Sequence, residues 1–367
     1  MKVSIITLVR IHNYGSVLQA YATGELVRQA GHDPEFVDLV AINGSRAGTL
    51  EDNVKAKVGG NSIKHALYSF FWNANWMLQE RVFGGFVNRH LNFSRRYESV
   101  GELHANPPMA DCYVSGSDML WSSKLNKGHR ETQFYLTWAP EDKPHIAYAA
   151  SIGETELPPE ERSFMLPLLK SYDRIGMREK SGVALLDSMG ISSVNVLDPT
   201  LVLPSAFWES FASQCSSRKR PYLLVYFLHD HEEVFRQALA YARRQGFEVV
   251  RVAFHPLRKA DDDKIEVIPS VEKLVSLFMN AEFVVTDSFH GTAFSLNFAK
   301  SFLVTQPPRF ETRLDSILEI ANAPQRVIRD SSVPFSAYGP IDYDHVTKAL
   351  CREREKSRAF LNAALGD

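Results

Sequence analysis

Three short segments of the sequence combine small residues with a group that can move a proton or hold an anion. The first, Arg10-Ile11-His12-Asn13-Tyr14-Gly15-Ser16, places a cation, an imidazole and a glycine at the start of a helical pattern. Backbone N–H groups and the helix dipole favour an anion there. The segment contains neither G-x-G-x-x-G nor G-x-x-x-x-G-K-[ST], so the dinucleotide fingerprint and the P-loop are both absent, and a plain capping turn is the competing reading. In the second, Ser115-Gly116-Ser117-Asp118, small residues let a ligand approach the backbone. Asp118 could take a proton from a hydroxyl, and Trp121 close behind could stack on a sugar face; helix capping by Asp118 is the alternative. The third, Asp287-Ser288-Phe289-His290-Gly291, carries the strongest catalytic candidate, His290, as proton donor or anion ligand. Arg178 stands at the matching place in the first half and could hold a carboxylate or phosphate bidentately. A salt bridge with Glu179 or Asp198 is its other reading.

Other polar patterns carry less. His229 and His231 flank Asp230 at a spacing that suits neither helical nor tetrahedral ligation, so no metal is expected. Glu311 and Glu319 share roughly one helical face, which reads as a solvated surface. The 367 residues include 41 Lys+Arg and 43 Asp+Glu, a net charge of −2. Without a basic excess or stripe, nucleic acid is not the expected partner. Cys112, Cys215 and Cys351 are odd in number and widely spaced, which argues against a disulfide framework or a cysteine metal site and fits a reducing cytoplasm. The longest apolar runs, Val3 to Val9 and Tyr222 to Leu228, are about a third of the roughly 20 residues that cross a bilayer. Val3 to Val9 is also too short for the core of a signal peptide and reads as a first strand.

The elements that must position these groups follow from periodicity. Val3 to Val9 is a buried-strand pattern, Ser16 caps a helix with Leu18, Ala22, Leu26 and Ala30 at spacing four, and Phe36 to Leu39 is a second strand. Strand, helix and strand within about 40 residues form a right-handed βαβ unit and predict a parallel sheet. Ser62 to Phe93 reads as two helices separated at Gly84-Gly85. Strands are expected at Asp111 to Val114, Ile146 to Ala149 and Arg174 to Met177, with helices at Pro158 to Leu169 and Glu179 to Met189. Pro204 and Pro221 bracket a Ser- and Arg-rich stretch with the composition of a linker. The alternation then restarts with strands at Tyr222 to Leu228, Glu248 to Ala253, Ile265 to Ile268, Phe283 to Thr286 and Phe302 to Val304. Helices over Glu232 to Arg244, Val271 to Met279, Thr292 to Phe298 and Leu314 to Ile320 lie between or after them. The expected fold is α/β, with two doubly wound Rossmann-like halves facing each other across a cleft. The divisions are 1–204, 205–340 and a helix in 341–367 that packs on the surface or crosses back to the first half. In such sheets ligands sit beyond the carboxyl ends of the strands, which is where the three segments fall.

These loops resemble the polysaccharide pyruvyl transferase family over nearly the whole chain. The likeness runs through Asn13-Tyr14-Gly15-Ser16-Val17-Leu18-Gln19-Ala20-Tyr21, Gly116-Ser117-Asp118 with Trp121, and Tyr148-Ala149-Ala150-Ser151-Ile152-Gly153. It continues through Arg178-Glu179, Asp198-Pro199-Thr200-Leu201 and Thr286-Asp287-Ser288-Phe289-His290-Gly291-Thr292-Ala293-Phe294-Ser295. The resemblance implies a GT-B-like pair of domains and a cytoplasmic transferase of capsule or exopolysaccharide biosynthesis. It implies phosphoenolpyruvate as donor, no cofactor, and a saccharide acceptor, nucleotide- or lipid-linked, that receives pyruvate as a cyclic ketal. A nucleotide-sugar glycosyltransferase of the same architecture is the alternative. His290, Asp118 and Arg178 become the catalytic candidates. Arg10, Asn13, Tyr14, Gly15, Ser16, Gly116, Ser117, Trp121, Ser288, Gly291 and Thr292 become substrate-binding candidates. The sequence departs from the better-known ketal-forming members at Ser288, where they carry arginine. Either Arg10, Arg309 or Arg313 supplies the cation, or this branch takes a different donor or acceptor. A lipid-linked acceptor would bring the protein to the inner face of a membrane. The apolar and aromatic residues of Leu67 to Met77 could then lie in the interface, although core packing is their expected use.

Overall fold

Val3, Ile5 and Ile6 expose none of their surface, and neither do Leu223, Leu224 and Val225. Both apolar runs are covered on two faces, as central strands of parallel sheets must be. The computed structural model describes residues 1–40, 62–122, 130–216, 218–255, 263–306 and 311–366. Among these, seven strands form the first sheet: β1 (Lys2–Ile6), β2 (Asp33–Leu39), β3 (Phe93–Tyr97), β4 (Cys112–Ser115), β5 (His145–Ala150), β6 (Arg174–Met177) and β7 (Val194–Asn195). Six form the second: β8 (Tyr222–Tyr226), β9 (Glu248–Ala253), β10 (Asp263–Val267), β11 (Phe283–Thr286), β12 (Ser301–Thr305) and β13 (Val327–Ile328). Every pairing is parallel, in the orders β3-β2-β1-β4-β5-β6-β7 and β10-β9-β8-β11-β12-β13. These are two Rossmann-like, doubly wound sheets, as the alternation predicts. The strand order reverses between β1 and β4 and again between β8 and β11. Loops leaving such neighbours diverge and open a crevice. Ile6 pairs with Ser115 and Tyr226 with Thr286, so each crevice has its two loops side by side.

The helix after β1 spans Tyr14–Gln29, and its cap is Asn13 rather than Ser16. Asn13 is extended, and its side-chain oxygen accepts from Ser16 N–H at 3.2 Å. The helix begins early because Tyr14 gains burial, with its hydroxyl donating to the Pro269 carbonyl at 2.5 Å. Gly31 ends this unit at a φ of +81°, which a side chain would strain. Asn13→Ala is expected to lower stability by about 1 kcal/mol, read as a lower urea midpoint with an unchanged slope.

Three expectations need correction. The region after residue 62 is one helix, Ser62–His90, with no break at Gly84-Gly85. Phe83, Phe86 and Val87 are buried there. Burial of each phenylalanine contributes about 1.5–3 kcal/mol and outweighs about 1 kcal/mol per glycine. On the same helix Phe70, Phe71 and Met77 are 68%, 62% and 64% exposed, while Trp72 and Trp76 are half-buried, stacked on each other, with Trp76 edge-on to the His12 ring. The presumed linker contains the helix Ser205–Ala212. Trp208 on it is fully buried, donates its indole N–H to the Thr200 carbonyl at 3.0 Å, and packs edge-on against Phe294. The helix expected from Thr292 starts at Phe289, with Ser288 as its cap, which places His290 in its first turn.

The last helix, Tyr343–Leu365, begins against the second sheet, where the Tyr343 hydroxyl donates to the Lys300 carbonyl. It ends against the first. Arg354 Nε donates to the Leu201 carbonyl at 2.8 Å, Ser357 Oγ accepts Leu197 N–H at 2.8 Å, and Phe360 stacks on Tyr148.

Candidate active site

The four loops at the two strand-order reversals meet in one cleft of about 390 Å³. Asn13, Ser16 and Asp118 form one wall, while His229, Asp287, Ser288, His290 and Arg313 form the other. The amino termini of helices Tyr14–Gln29 and Phe289–Asn297 both lie along it, so their unpaired N–H groups add positive potential.

Beneath the cleft lies a buried polar network centred on Asp198, which exposes 1% of its surface. Its Oδ2 accepts from Arg178 Nη1 at 3.1 Å and Ser117 Oγ at 3.1 Å, and its Oδ1 from Thr200 N–H at 2.9 Å and Thr200 Oγ1 at 2.6 Å. His290 Nε2 stands 3.7 Å from Oδ2, within ion-pair range but beyond a hydrogen bond. Burial pushes the Asp198 carboxyl up, but His290, Arg178 and Thr200 outweigh it and hold the group well below the usual carboxylate range.

Arg178 satisfies both halves of its salt-bridge reading. It contacts Asp198, and its Nε lies 3.4 Å from Glu179 Oε1, while the guanidinium sits 4.7 Å over the Phe289 ring. Burial works against its charge, yet Glu179, Asp198 and Asp118 raise its pKa on balance. Its Nη2 is buried and makes no hydrogen bond among the described residues. Arg313 faces the cleft nearby. Burial, then the neighbouring Arg178 charge, brings it down to about 10, so it remains a cation at neutral pH.

Asp118 holds a left-handed backbone at φ +92°, an arrangement that costs a non-glycine residue about 1–3 kcal/mol. Its Oδ2 accepts from Ser16 Oγ at 2.5 Å and its Oδ1 from Met119 N–H at 2.8 Å. It therefore caps no helix and stays on the cleft wall. Gly15 sits directly against the His290 ring, and a Cβ there would overlap Nδ1. That close approach lets the first helix and the histidine share one face of the cleft.

Several candidates face elsewhere. Trp121 is buried, stacked at 7° on Tyr135 with its N–H on the Phe134 carbonyl, so it offers no face to a sugar. The Tyr14 side chain is committed to the core. Gly116 is small because Thr7 lies 3.0 Å from where its Cβ would stand, and Gly291 because Thr286 crowds it. Ser117 points to Asp198, and Thr292 Oγ1 donates to the Ser288 carbonyl at 3.0 Å. Arg10 turns to the sheet edge, donating to Asp38 at 2.6 and 2.8 Å and lying 4.2 Å over Phe93. Arg309 lies outside the described residues. Of the three candidate cations, Arg313 lines the cleft.

Two features escaped the sequence. Asp198 is the hub of the network and not merely a partner for Arg178. His229 and His231 converge on Asp287, whose Oδ2 lies 2.7 Å from His229 Nδ1 and 3.1 Å from His231 Nε2. Burial raises the Asp287 carboxyl, but these histidines and the Leu228 N–H lower it on balance. The sequence signal for this cluster is Asp287, directly after the strand Phe283–Thr286.

The family model for polysaccharide pyruvyl transferase matches residues 13–305. The chain belongs to the polysaccharide pyruvyl transferase family. Of the cleft residues of this pyruvyl transferase family member, Asn13, Ser16, Asp118, His229, Asp287, Ser288 and His290 fall within the matched span, whereas Leu8, Ile11 and Arg313 lie outside it. A search of curated protein sequences finds no match. Similar solved structures include the UDP-GlcNAc 2-epimerase of Neisseria meningitidis bound to UDP-GlcNAc, 9% identical with a TM-score of 0.47, covering 99% of this chain and 94% of that one. The Streptomyces sp. SF2575 glycosyltransferase SsfS6 is 14% identical with a TM-score of 0.42, and each chain is covered in full at 100%. The E. coli heptosyltransferase WaaC with ADP-2-deoxy-2-fluoro heptose is 12% identical with a TM-score of 0.38, covering 84% of this chain and 89% of that one. At these identities the likeness concerns the fold.

Proposed function

We propose that this transferase moves pyruvate from phosphoenolpyruvate onto two hydroxyls of a sugar, forming a cyclic ketal and releasing phosphate. The observation that carries the reading is the convergence of His290, Arg313, Asp118 and two helix amino termini on one cleft in a member of this family. His290 gives a proton to the donor's methylene carbon, leaving an electrophilic carbon that bears methyl, carboxylate and phosphate groups. One sugar hydroxyl attacks it and loses its proton to Asp118. Phosphate then departs with its bonding electron pair, and the second hydroxyl closes the ring and releases its proton. Arg313 and the helix termini hold the donor's carboxylate and phosphate, and Arg178 reinforces them from beneath with Nη2.

The acceptor is a nucleotide- or lipid-linked glycan precursor, and the reaction takes place in the cytoplasm. Among the described residues no helix is long and apolar enough to cross a membrane. The exposed Phe70, Phe71 and Met77 favour contact with the inner membrane face when the acceptor is lipid-linked.

Thermal denaturation with added ligand tests the donor. Phosphoenolpyruvate at 100 times its dissociation constant is expected to stabilise the protein by about 2.7 kcal/mol, a rise of several degrees. Stabilisation by uridine or guanosine diphosphate with none from phosphoenolpyruvate would overturn this reading in favour of a nucleotide-sugar glycosyltransferase.

A further inference from the structure

His229, His231 and Asp287 come together at the carboxyl ends of β8 and β11, where the second sheet reverses its strand order. His229 Nδ1, His231 Nε2 and one Asp287 oxygen all lie within 4.8 Å of one another. We propose that these three residues bind a divalent transition-metal ion of the Zn2+ or Mn2+ class at the mouth of the cleft. Two imidazoles and one carboxylate suit such ions and disfavour Mg2+ and Ca2+, which take oxygen ligands.

The separations fit an ion shared by the three. Ligand atoms about 2.0–2.2 Å from a common metal stand roughly 3 Å apart when their bonds meet near right angles. The two imidazole nitrogens lie 2.7 and 3.1 Å from Asp287 Oδ2, so small rotations of the rings would admit the ion. The carboxylate is already oriented: Leu228 N–H donates to Oδ1 at 2.7 Å, His229 N–H donates to Oδ2 at 3.0 Å, and the side chain is fully buried. Backbone donors behind a ligating carboxylate are the usual outer support of a metal site. His231 stands at the cap position of the helix Glu232–Gln245, yet its side chain makes no capping hydrogen bond. It turns to Asp287 instead.

The coordination positions left over have space. His229 lines both the main cleft and a neighbouring cavity of about 360 Å³, which Arg251, Phe254 and His255 help to enclose. An ion held here would carry a net charge of +1 after the carboxylate, next to Ser288 and His290, and could take water or a ligand's phosphate oxygen. The site rests on its own three residues and stands whichever donor occupies the cleft.

The test uses the full chain, stripped with a chelator and titrated with Zn2+ by calorimetry and with Co2+ by visible absorption. One equivalent should bind, and the Co2+ spectrum should lack a thiolate charge-transfer band. His231→Ala should weaken binding by more than about tenfold, the scale set by losing even an outer partner of a ligand. The double variant H229A/H231A should lose the equivalent while keeping its circular dichroism. In the wild type, one equivalent of Zn2+ should protect His229 and His231 from mass-mapped carbethoxylation, a readout that needs no variant. No stoichiometric binding, an equivalent retained by the double variant, a thiolate band, or histidines left unprotected would overturn the site and leave the pair as hydrogen-bond donors to Asp287.

Discussion

Replacing His290 by alanine should lower turnover by about 10²–10⁴-fold, the range that a positioned general acid contributes. The melting temperature should stay close to the wild-type value, because Arg178 and Thr200 continue to satisfy Asp198. His290 sits in the first turn of its helix, packed against Gly15, with Nε2 directed towards Asp198 and a side chain that is only 12% exposed. A ring held on both sides would need little reorganisation for the proposed proton transfer. Steady-state kinetics with phosphoenolpyruvate and a saccharide acceptor, read beside a thermal melt, check the expectation. Near-normal turnover in a folded His290→Ala protein would remove the histidine from the chemistry. If phosphoenolpyruvate binding fell with turnover in equal measure, the histidine would instead hold the donor.

The second large effect concerns stability. Asp198→Ala is expected to destabilise the protein by about 3–5 kcal/mol, since removing one partner of a buried pair leaves the other charge poorly compensated. Arg178 would keep Glu179 at 3.4 Å and the more distant charge of Asp118, and the cap of the helix Pro199–Val202 would be lost. Asp198→Asn should be milder, because an amide oxygen can still accept from Thr200. The same carboxylate links stability to pH. Its folded pKa lies below the ordinary value of 3.8, so its contribution is complete above that value. The contribution disappears as pH falls from there through the depressed folded value. Urea denaturation of wild type and D198A between pH 3 and pH 7 checks both points; curves separated by a constant amount throughout would show that Asp198 contributes nothing as an ion.

Much of the fold was legible because parallel strands buried on both faces leave continuous apolar runs, as at Val3 to Ile6 and Tyr222 to Tyr226. Position alone then ranked the loops after β1, β4 and β11. What escaped depended on partners distant in sequence. Glycines at 84 and 85 suggest a break unless the burial of Phe83 and Phe86 is known. The Ser- and Arg-rich tail near residue 216 hid the helix that carries Trp208. Arg10 is engaged by Asp38, 28 residues away, and Trp121 has its face covered by Tyr135, contacts that the local sequence does not reveal. The local spacing of His229 and His231 gives no sign of Asp287, on which both converge from 58 and 56 residues away.

The terminal helix sets an order of events during synthesis. Leu197 N–H, the Leu201 carbonyl and the face of Tyr148 all belong to the first half, yet residues of Tyr343–Leu365 complete them. The amino-terminal half emerges from the ribosome first, so it waits for more than a hundred further residues with this surface uncovered. The second half must therefore be made before the first can finish folding. Until the closing helix is made, Phe360 cannot cover the faces of Tyr148 and Gly176 that it packs against in the finished fold.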